Sequence, residues 1–125
     1  MQCPCCSFLP YEICCAPLHK GVSPPKDSLA LMRSRYSAYV LQLHQYIVDT
    51  YVQEERRKHH VDAIKRSFQN VHWKKLEILS VQGTRVSFAA YYDRDGSEYV
   101  VREDSAFLQE DGMWKYCERD SRMLD

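Results

Sequence analysis

The chain has 125 residues with 17 basic and 17 acidic side chains, so its formal net charge is zero. A balanced charge gives no overall attraction to nucleic acid or to an anionic membrane, and binding to either would need a local patch. The sequence has no apolar run near the roughly 20 residues of a membrane span, and its start lacks the features of a signal peptide. We therefore predict a cytoplasmic protein, in which clustered cysteines bind metal more often than they form disulfides.

Residues 1–26 contain most of the chemically distinctive side chains. Five of the six cysteines lie in the first 15 residues, and all five prolines lie in the first 25. No hydrophobic period is sustained there, which is typical of a loop-built segment. We predict a cysteine-rich metal-binding segment over residues 1–26 and one α+β domain over residues 27–125. The sixth cysteine, Cys117, is predicted to be buried as a small apolar side chain in a strand.

Residues 27–70 are predicted to be helical. Asp27 or Ser28 can cap the first helix. Behind the cap, one apolar stripe recurs at helical spacing. It consists of Leu29, Met32, Tyr36, Tyr39 and Leu43. Two shorter helices are predicted at residues 44–52 and 61–68, and the charged stretch at residues 53–60 between them is predicted to be a link or a helix end.

From residue 73 the apolar period changes to two, which predicts β-strands. The predicted strands cover residues 73–82, 85–92, 98–108 and 114–119. Glycine-containing turn signals follow residues 82, 94 and 110, and such short links join antiparallel neighbours. Helices followed by a meander of strands predict an α+β fold, with the helices packed on one face of an antiparallel sheet.

Four cysteines have a spacing that suits a metal site. Cys3, Cys5, Cys14 and Cys15 form the pattern C-x-C-x8-C-C. Four thiolates can surround Zn²⁺ at about 2.3 Å in a closed tetrahedral site, which has no open position for a substrate and is therefore structural. We predict a structural Zn²⁺ whose binding helps to fold the segment. Two alternatives remain at this point, since Cys6 can replace Cys5 and His19 can supply the fourth ligand.

Two stretches of the sequence carry a resemblance to known proteins. The run Cys3-Pro4-Cys5-Cys6-Ser7, followed by Tyr11 and Cys14-Cys15, resembles the SEC-C motif, which begins C-P-C-G-S-G and ends in C-C or C-H. The run at residues 30–39, together with residues 86–92, 103–107 and 111–116, is similar to the YchJ-like family of small bacterial proteins.

The resemblance covers nearly the whole chain and implies both a fold and a kind of function. The implied fold is similar to nuclear transport factor 2, in which a curved sheet wraps round helices and encloses a cone-shaped cavity. SEC-C segments elsewhere, as in the bacterial secretion ATPase, are zinc-bearing binding appendages. The biochemical role of the YchJ-like family itself is not established.

The chain departs from the SEC-C pattern at two positions. Cys6 and Phe8 stand where the motif has glycines. Glycine suits a left-handed turn there, and a side chain disfavours that conformation by about 1 kcal/mol or more. The substitutions predict either a strained turn or a different use of the cysteines.

The first helix offers a candidate pocket. At 100° per residue, Arg33 and Arg35 lie at the two edges of the apolar stripe, while Tyr36 and Tyr39 lie on it. One interpretation is a pocket for an anion or a carbonyl group, formed by these four residues. The other, which we favour, is buried tyrosines with an arginine in a structural ion pair with a carboxylate of the sheet such as Glu103 or Asp104. No nucleophile is paired with a base here, so we predict no catalytic residue.

The sequence thus favours a non-enzymatic zinc-binding protein whose cysteine-rich segment docks on an unknown protein or ribonucleoprotein. The alternative is a small-molecule binder or an enzyme that uses the cavity of the α+β domain near Arg33, Tyr36 and Tyr39. A basic stretch at residues 56–60 follows two glutamates and is predicted to be a solvated helix face. We therefore predict no specific nucleic-acid partner and no membrane, and the sequence does not indicate an oligomeric state.

Overall fold

The computed structural model describes residues 1–124. Its elements in chain order are a 3-10 turn (Tyr11–Ile13), α1 (Ala16–His19), α2 (Ser28–Leu41), α3 (His44–Asp49), α4 (Gln53–Arg56), α5 (Val61–Ser67), β1 (Val71–Gln82), β2 (Arg85–Arg94), β3 (Ser97–Glu110) and β4 (Met113–Met123). The strands form one antiparallel sheet in the order β1-β2-β3-β4. The predicted α+β fold with a meander is confirmed, and the charged stretch contains the additional short helix α4.

Two-residue turns set the register of the sheet. Asp95-Gly96 and Asp111-Gly112 all have positive φ angles, between 51° and 85°. This is the type I′ conformation, whose twist matches that of the flanking strands. Arg94 therefore pairs with Ser97 directly across the first of these turns. The turn signals in the sequence were sufficient to predict both hairpins.

Helix α2 begins and ends at residues with clear local causes. The Oδ1 atom of Asp27 accepts a hydrogen bond of 2.8 Å from the main-chain nitrogen of Ala30, which confirms one of the two predicted caps. The helix ends at Leu41 because Gln42 adopts a left-handed conformation with φ 61°. Leu43 therefore lies beyond the helix, and it packs near α3 instead of extending the stripe of α2.

The main core lies between α2 and the inner face of the sheet. Its buried members are Leu31, Met32, Tyr36, Leu76, Val86, Phe88, Ala90 and Phe107. A second cluster, formed by Ala38, Ile47, Tyr51 and Ile64, joins α2 to α3 and α5. Cys117 is buried in β4, as predicted. No helix within residues 1–124 is both long enough and apolar enough to cross a membrane.

Helix α2 is also buried on the side that faces away from the sheet. Ser34 and Ser37 have no exposed surface, although both are polar. The hydroxyl of Ser37 contacts the cysteine-rich segment, whereas the hydroxyl of Ser34 contacts Tyr46 of α3 and its carbonyl contacts His19. Helix α2 therefore lies between the sheet and most of the cysteine-rich segment, while Cys6 of that segment contacts the main chain of Leu76 in β1.

Candidate functional site

Residues 1–19, which we call the knuckle, form a closed loop followed by a reversal of the chain. The main-chain nitrogen of Cys3 donates to the carbonyl of Leu9 at 2.8 Å, and that of Tyr11 donates to the carbonyl of Met1 at 3.0 Å. The 3-10 turn Tyr11–Ile13 then redirects the chain. This reversal brings the second pair of cysteines beside the first.

The four predicted ligand residues meet in one cluster. The Sγ atoms of Cys3, Cys5, Cys14 and Cys15 all lie within 4.8 Å of one another. The separation is 3.6 Å between Cys5 and Cys14 and 3.9 Å between Cys14 and Cys15. A tetrahedron with metal–sulfur bonds of about 2.3 Å has edges of about 3.8 Å. The donor set and its spacing therefore fit a single thiophilic metal ion.

The thiols of this cluster differ in pKa. A hydrogen bond from Cys15, supported by Ser7 and opposed by burial, lowers the pKa of Cys5 to about 4. The same contact raises the pKa of Cys15, and burial raises the pKa of Cys14. The cluster thus stabilises one thiolate through neighbouring thiol donors. Because metal ligation requires the thiolate form, binding of a cation would release the remaining protons.

Polar groups from outside the cysteine pairs surround the cluster. The hydroxyl of Ser7 lies 3.2 Å from Cys14 Sγ. Ser37, on α2, donates to Cys15 Sγ at 3.3 Å. The guanidinium of Arg33, also on α2, donates to the carbonyl of Cys5 at 2.7 Å. Such contacts orient thiolates and stabilise their charge.

The two departures from the SEC-C pattern produce a strained turn. Cys6 has φ 66° and Phe8 has φ 68°, both in the left-handed region. The four cysteines predicted as metal ligands nevertheless cluster. The strained turn is therefore compatible with the predicted ligand set Cys3, Cys5, Cys14 and Cys15. The thiol of Cys6 lies apart from them and accepts a hydrogen bond of 3.4 Å from the main-chain nitrogen of Leu76 in β1.

His19 joins the knuckle to α2. Its Nδ1 atom accepts a hydrogen bond of 2.7 Å from the hydroxyl of Tyr11. Its Nε2 atom donates to the carbonyl of Ser34 at 2.8 Å. Burial lowers the pKa of His19, which favours the neutral ring that this pattern requires. Both ring nitrogens are thus engaged outside the cysteine cluster.

A cavity of about 390 Å³ lies on the other side of α2. Arg35, Tyr36 and Tyr39 line it, together with residues of α5 and of the inner face of the sheet. Arg33 is not among the lining residues, which differs from the predicted pocket, because its guanidinium contacts the knuckle. Two residues along a helix are about 200° apart, so the two arginines point to opposite sides of α2.

Tyr51 and Tyr116, which also line the cavity, were not predicted from the sequence. Glu103 lines it as well, but it accepts a hydrogen bond from Tyr116 and does not form the predicted ion pair with an arginine of α2. Tyr51 and Tyr116 are joined by an isolated bridge between main chains that are far apart in sequence. The period-two pattern of β4 places Tyr116 in a strand, but it does not show which helix that strand meets. No local signal in the sequence identifies these side chains as neighbours of Arg35.

Comparisons with known proteins agree with the fold and the motif. The family model for the YchJ middle NTF2-like domain matches residues 27–119. A UPF0225 protein of Vibrio vulnificus is 38% identical over 94% of this chain and 73% of its own length. A UPF0225 protein of Pectobacterium carotovorum is 34% identical over 94% of this chain and 81% of its own length.

Two solved structures have the same fold. The solution structure of a SEC-C motif containing protein from Rhodopseudomonas palustris matches over the whole of both chains, with a TM-score of 0.88 and 34% identity. The crystal structure of a SEC-C motif containing protein from Psychrobacter arcticus has a TM-score of 0.82 and 23% identity, and it is matched over all of this chain and 85% of its own. With the family model matching residues 27–119, the chain belongs to the YchJ-like UPF0225 family of bacterial proteins.

Proposed function

We propose that this protein binds one Zn²⁺ through Cys3, Cys5, Cys14 and Cys15 and that the zinc-loaded knuckle docks on a partner protein without catalysing a reaction. Thiolates select soft metals, and four of them at tetrahedral spacing suit Zn²⁺. Four protein ligands would close the site, so the metal would have a structural role. The free thiols suit the reducing cytoplasm, where we place the protein.

The observation that carries the docking role is the exposed side chain of Phe8. A left-handed conformation costs a side-chain-bearing residue about 1–2 kcal/mol. Phe8 has this conformation while 78% of its surface is exposed, so burial within the chain does not offset the cost. Leu9 and Ile13 are also exposed, at 48% and 68%. We call these three residues the knuckle patch, and exposed apolar patches of this kind are typical of interaction surfaces.

The charge of the knuckle favours a protein partner over RNA. Residues 1–19 contain one glutamate and neither lysine nor arginine. Four thiolates around Zn²⁺ would add a net charge of about −2 to this segment. An anionic, apolar surface has no attraction for a phosphate backbone. If the partner is a ribonucleoprotein, the knuckle would therefore contact its protein part.

Native mass spectrometry of freshly purified protein, combined with thiol alkylation, tests the metal site. We expect about one zinc per chain and protection of the four clustered thiols. Cys14→Ser should lose the metal, whereas the matched control Cys117→Ser should keep it. A metal-free protein with freely reacting N-terminal thiols would contradict the proposal.

Capture of proteins from an extract of the native bacterium tests the docking role. The bait is zinc-loaded wild-type protein, Phe8→Asn or Leu79→Thr. Asparagine tolerates the left-handed conformation, and Leu79 is an exposed apolar residue of β1 that serves as the control. We expect a partner that is retained by wild type and Leu79→Thr but lost with Phe8→Asn. Equal capture by all three baits would rule out the knuckle patch as the docking surface.

A further inference from the structure

The cavity on the sheet side of α2 contains a buried cation that pairs with no carboxylate of residues 1–124. Arg35 lines this cavity, yet only 4% of its surface is exposed. Among residues 1–124, no carboxylate oxygen lies within 4.0 Å of its guanidinium. A buried charge without an opposite charge is costly to a fold. Its presence here therefore calls for an explanation beyond packing.

The guanidinium is held in a fixed position. Its Nη1 atom donates to the carbonyl of Ile47 at 2.9 Å and to the hydroxyl of Thr50. Its Cζ atom lies 4.6 Å from the ring centroid of Tyr51 and 4.5 Å from that of Tyr116. Two aromatic faces and two acceptors thus orient the group before any ligand arrives. Such preorganisation lowers the entropic cost of binding.

The two carboxylates that line the cavity are engaged elsewhere. The Oε1 atom of Glu103 accepts hydrogen bonds from Tyr116 and, at 2.9 Å, from Ser105. Glu118 lies 3.1 Å from the Nε2 atom of His59. Neither carboxylate pairs with Arg35. The guanidinium of Arg35 is therefore free to pair with the anionic group of a ligand.

Apart from Lys58, His59, Ser67 and Ser105, the remainder of the cavity lining is apolar or aromatic. Its lining includes Tyr36, Phe68, Trp73, Phe88, Val101 and Phe107. Burial raises the pKa of Tyr39, Tyr51 and Tyr116, so these hydroxyls are neutral at physiological pH. The volume of about 390 Å³ lies toward the lower end of the roughly 300–1,000 Å³ range of small-molecule sites.

We propose that this cavity binds a small aromatic monocarboxylate, with the carboxylate paired to Arg35 and the ring packed among Trp73, Phe88 and Phe107. A carboxylate matches the planar donor fork of a guanidinium. Arg35 balances one negative charge. The positive charge of Lys58 is offset by Glu103 and Glu118, which line the same cavity, so a dianion such as a phosphate monoester is disfavoured. This site is separate from the knuckle, and the proposal does not depend on the metal.

Titration of zinc-loaded protein with defined probes tests this proposal. The probes are 3-phenylpropionate, 4-hydroxyphenylacetate and indole-3-acetate, each compared with its neutral primary amide, and phenyl phosphate. The readouts are the NMR signal of the Trp73 indole N–H and isothermal calorimetry. At least one acid should bind and shift the Trp73 signal, and its amide should bind about tenfold more weakly or worse, because it lacks the charge that pairs with Arg35.

Two variants locate the contact. Arg35→Met should weaken binding of the acid about tenfold or more, while Arg66→Met, at an exposed position of α5 outside the lining, should not change it. Should Arg35→Met fail to fold, the comparison of acid with amide on wild-type protein gives the answer alone. Absence of binding by all three acids, equal affinity for acid and amide, or tighter binding of phenyl phosphate would each overturn the proposal.

Discussion

The hydroxyl of Ser37 donates a hydrogen bond of 3.3 Å to the Sγ atom of Cys15, and both residues are buried. The same hydroxyl lies 3.4 Å from the Sγ atom of Cys3. One serine of α2 thus contacts a cysteine from each of the two pairs. The domain therefore contributes directly to the environment of the cysteine cluster.

Ser37→Ala should weaken zinc binding without preventing folding. Loss of a hydrogen bond to a ligand typically lowers metal affinity by about tenfold to a hundredfold. The measurement is competition with a chromophoric zinc chelator. Ser105→Ala is the matched control, because Ser105 is equally buried but lies in the lining of the cavity. Unchanged affinity in Ser37→Ala, or an equal loss in Ser105→Ala, would count against the contact.

Removal of the metal should loosen the knuckle while leaving the sheet intact. The knuckle has a small buried cluster of its own, made mainly of the cysteines. Without the cation, little burial holds its main-chain hydrogen bonds. In hydrogen exchange monitored by mass spectrometry, chelation should speed exchange in residues 1–19 and leave β2 and β3 protected. Equal protection of the knuckle with and without chelator would show that the metal does not stabilise it.

Phe8→Gly should stabilise the zinc-loaded protein, whereas Phe8→Ala should not. Glycine relieves the left-handed strain at this position. The greater conformational entropy of glycine in the unfolded chain costs less than this relief, which leaves a net stabilisation of about 0.5–1 kcal/mol. Alanine retains the strain at φ 68°. The free energy of unfolding, obtained from urea denaturation, gives the comparison. A stabilisation by alanine equal to that by glycine would mean that strain is not the cause.

Glu55→Gln should destabilise the fold by about 1–3 kcal/mol. The buried carboxylate of Glu55 accepts hydrogen bonds from the main-chain nitrogens of Glu118 at 2.8 Å and Arg119 at 3.0 Å. An amide replaces one of these acceptors with a donor that faces an N–H group. The neighbouring Glu54→Gln is the control because Glu54 is exposed. The midpoint of thermal unfolding should be lower for Glu55→Gln than for Glu54→Gln. Similar midpoints would show that the buried carboxylate of Glu55 does not stabilise the fold.

Asp104 should contribute to stability at neutral pH and lose that contribution in acid. Burial alone would raise the pKa of Asp104, but hydrogen bonds from Arg85 and Ser87 and the charge of Arg122 lower it overall. A lowered folded-state pKa stabilises the fold above the unfolded pKa of about 3.9, and this stabilisation disappears as pH falls through the folded value. Asp104→Asn should therefore be less stable than wild type at pH 7.

The pH dependence distinguishes charge from packing in this variant. The difference in thermal midpoint between wild type and Asp104→Asn should shrink as the pH falls below about 4. The measurement is a series of melting curves between neutral and acidic pH. A difference that stays constant across the series would mean that the lost contacts do not depend on the carboxylate charge.

The elements that were predictable from sequence are those with local causes. Asp27 caps α2 through a contact three residues away, and the Asp-Gly turns define the hairpins through their own backbone angles. The clustering of the cysteines followed from their spacing in a short loop. In each case the interacting groups are close in the chain, so the local sequence is sufficient to predict their contacts.

The elements that were not predicted depend on contacts between distant parts of the chain. Helical periodicity places Arg33 and Arg35 at the two edges of the apolar stripe and does not distinguish between them. The packing of the knuckle and the sheet on different sides of α2 determines that Arg33 contacts the knuckle and Arg35 lines the cavity. Glu55 lies in a charged run that is typical of solvent-exposed surface, yet it binds the main chain of β4. Burial of such a polar group depends on the tertiary partner that satisfies it.

The contacts of helix α2 with both the knuckle and the cavity have a thermodynamic consequence for binding at the two proposed sites. Ser37 contacts the cysteine cluster from one side of the helix, and Arg35 faces the cavity from the other. A displacement of the helix that alters one set of contacts also alters the other. If a cavity ligand changes zinc affinity by some factor, linkage requires that zinc change the affinity for that ligand by the same factor. Coupling of this kind between the two proposed sites would act through the 14-residue helix α2, which contacts both.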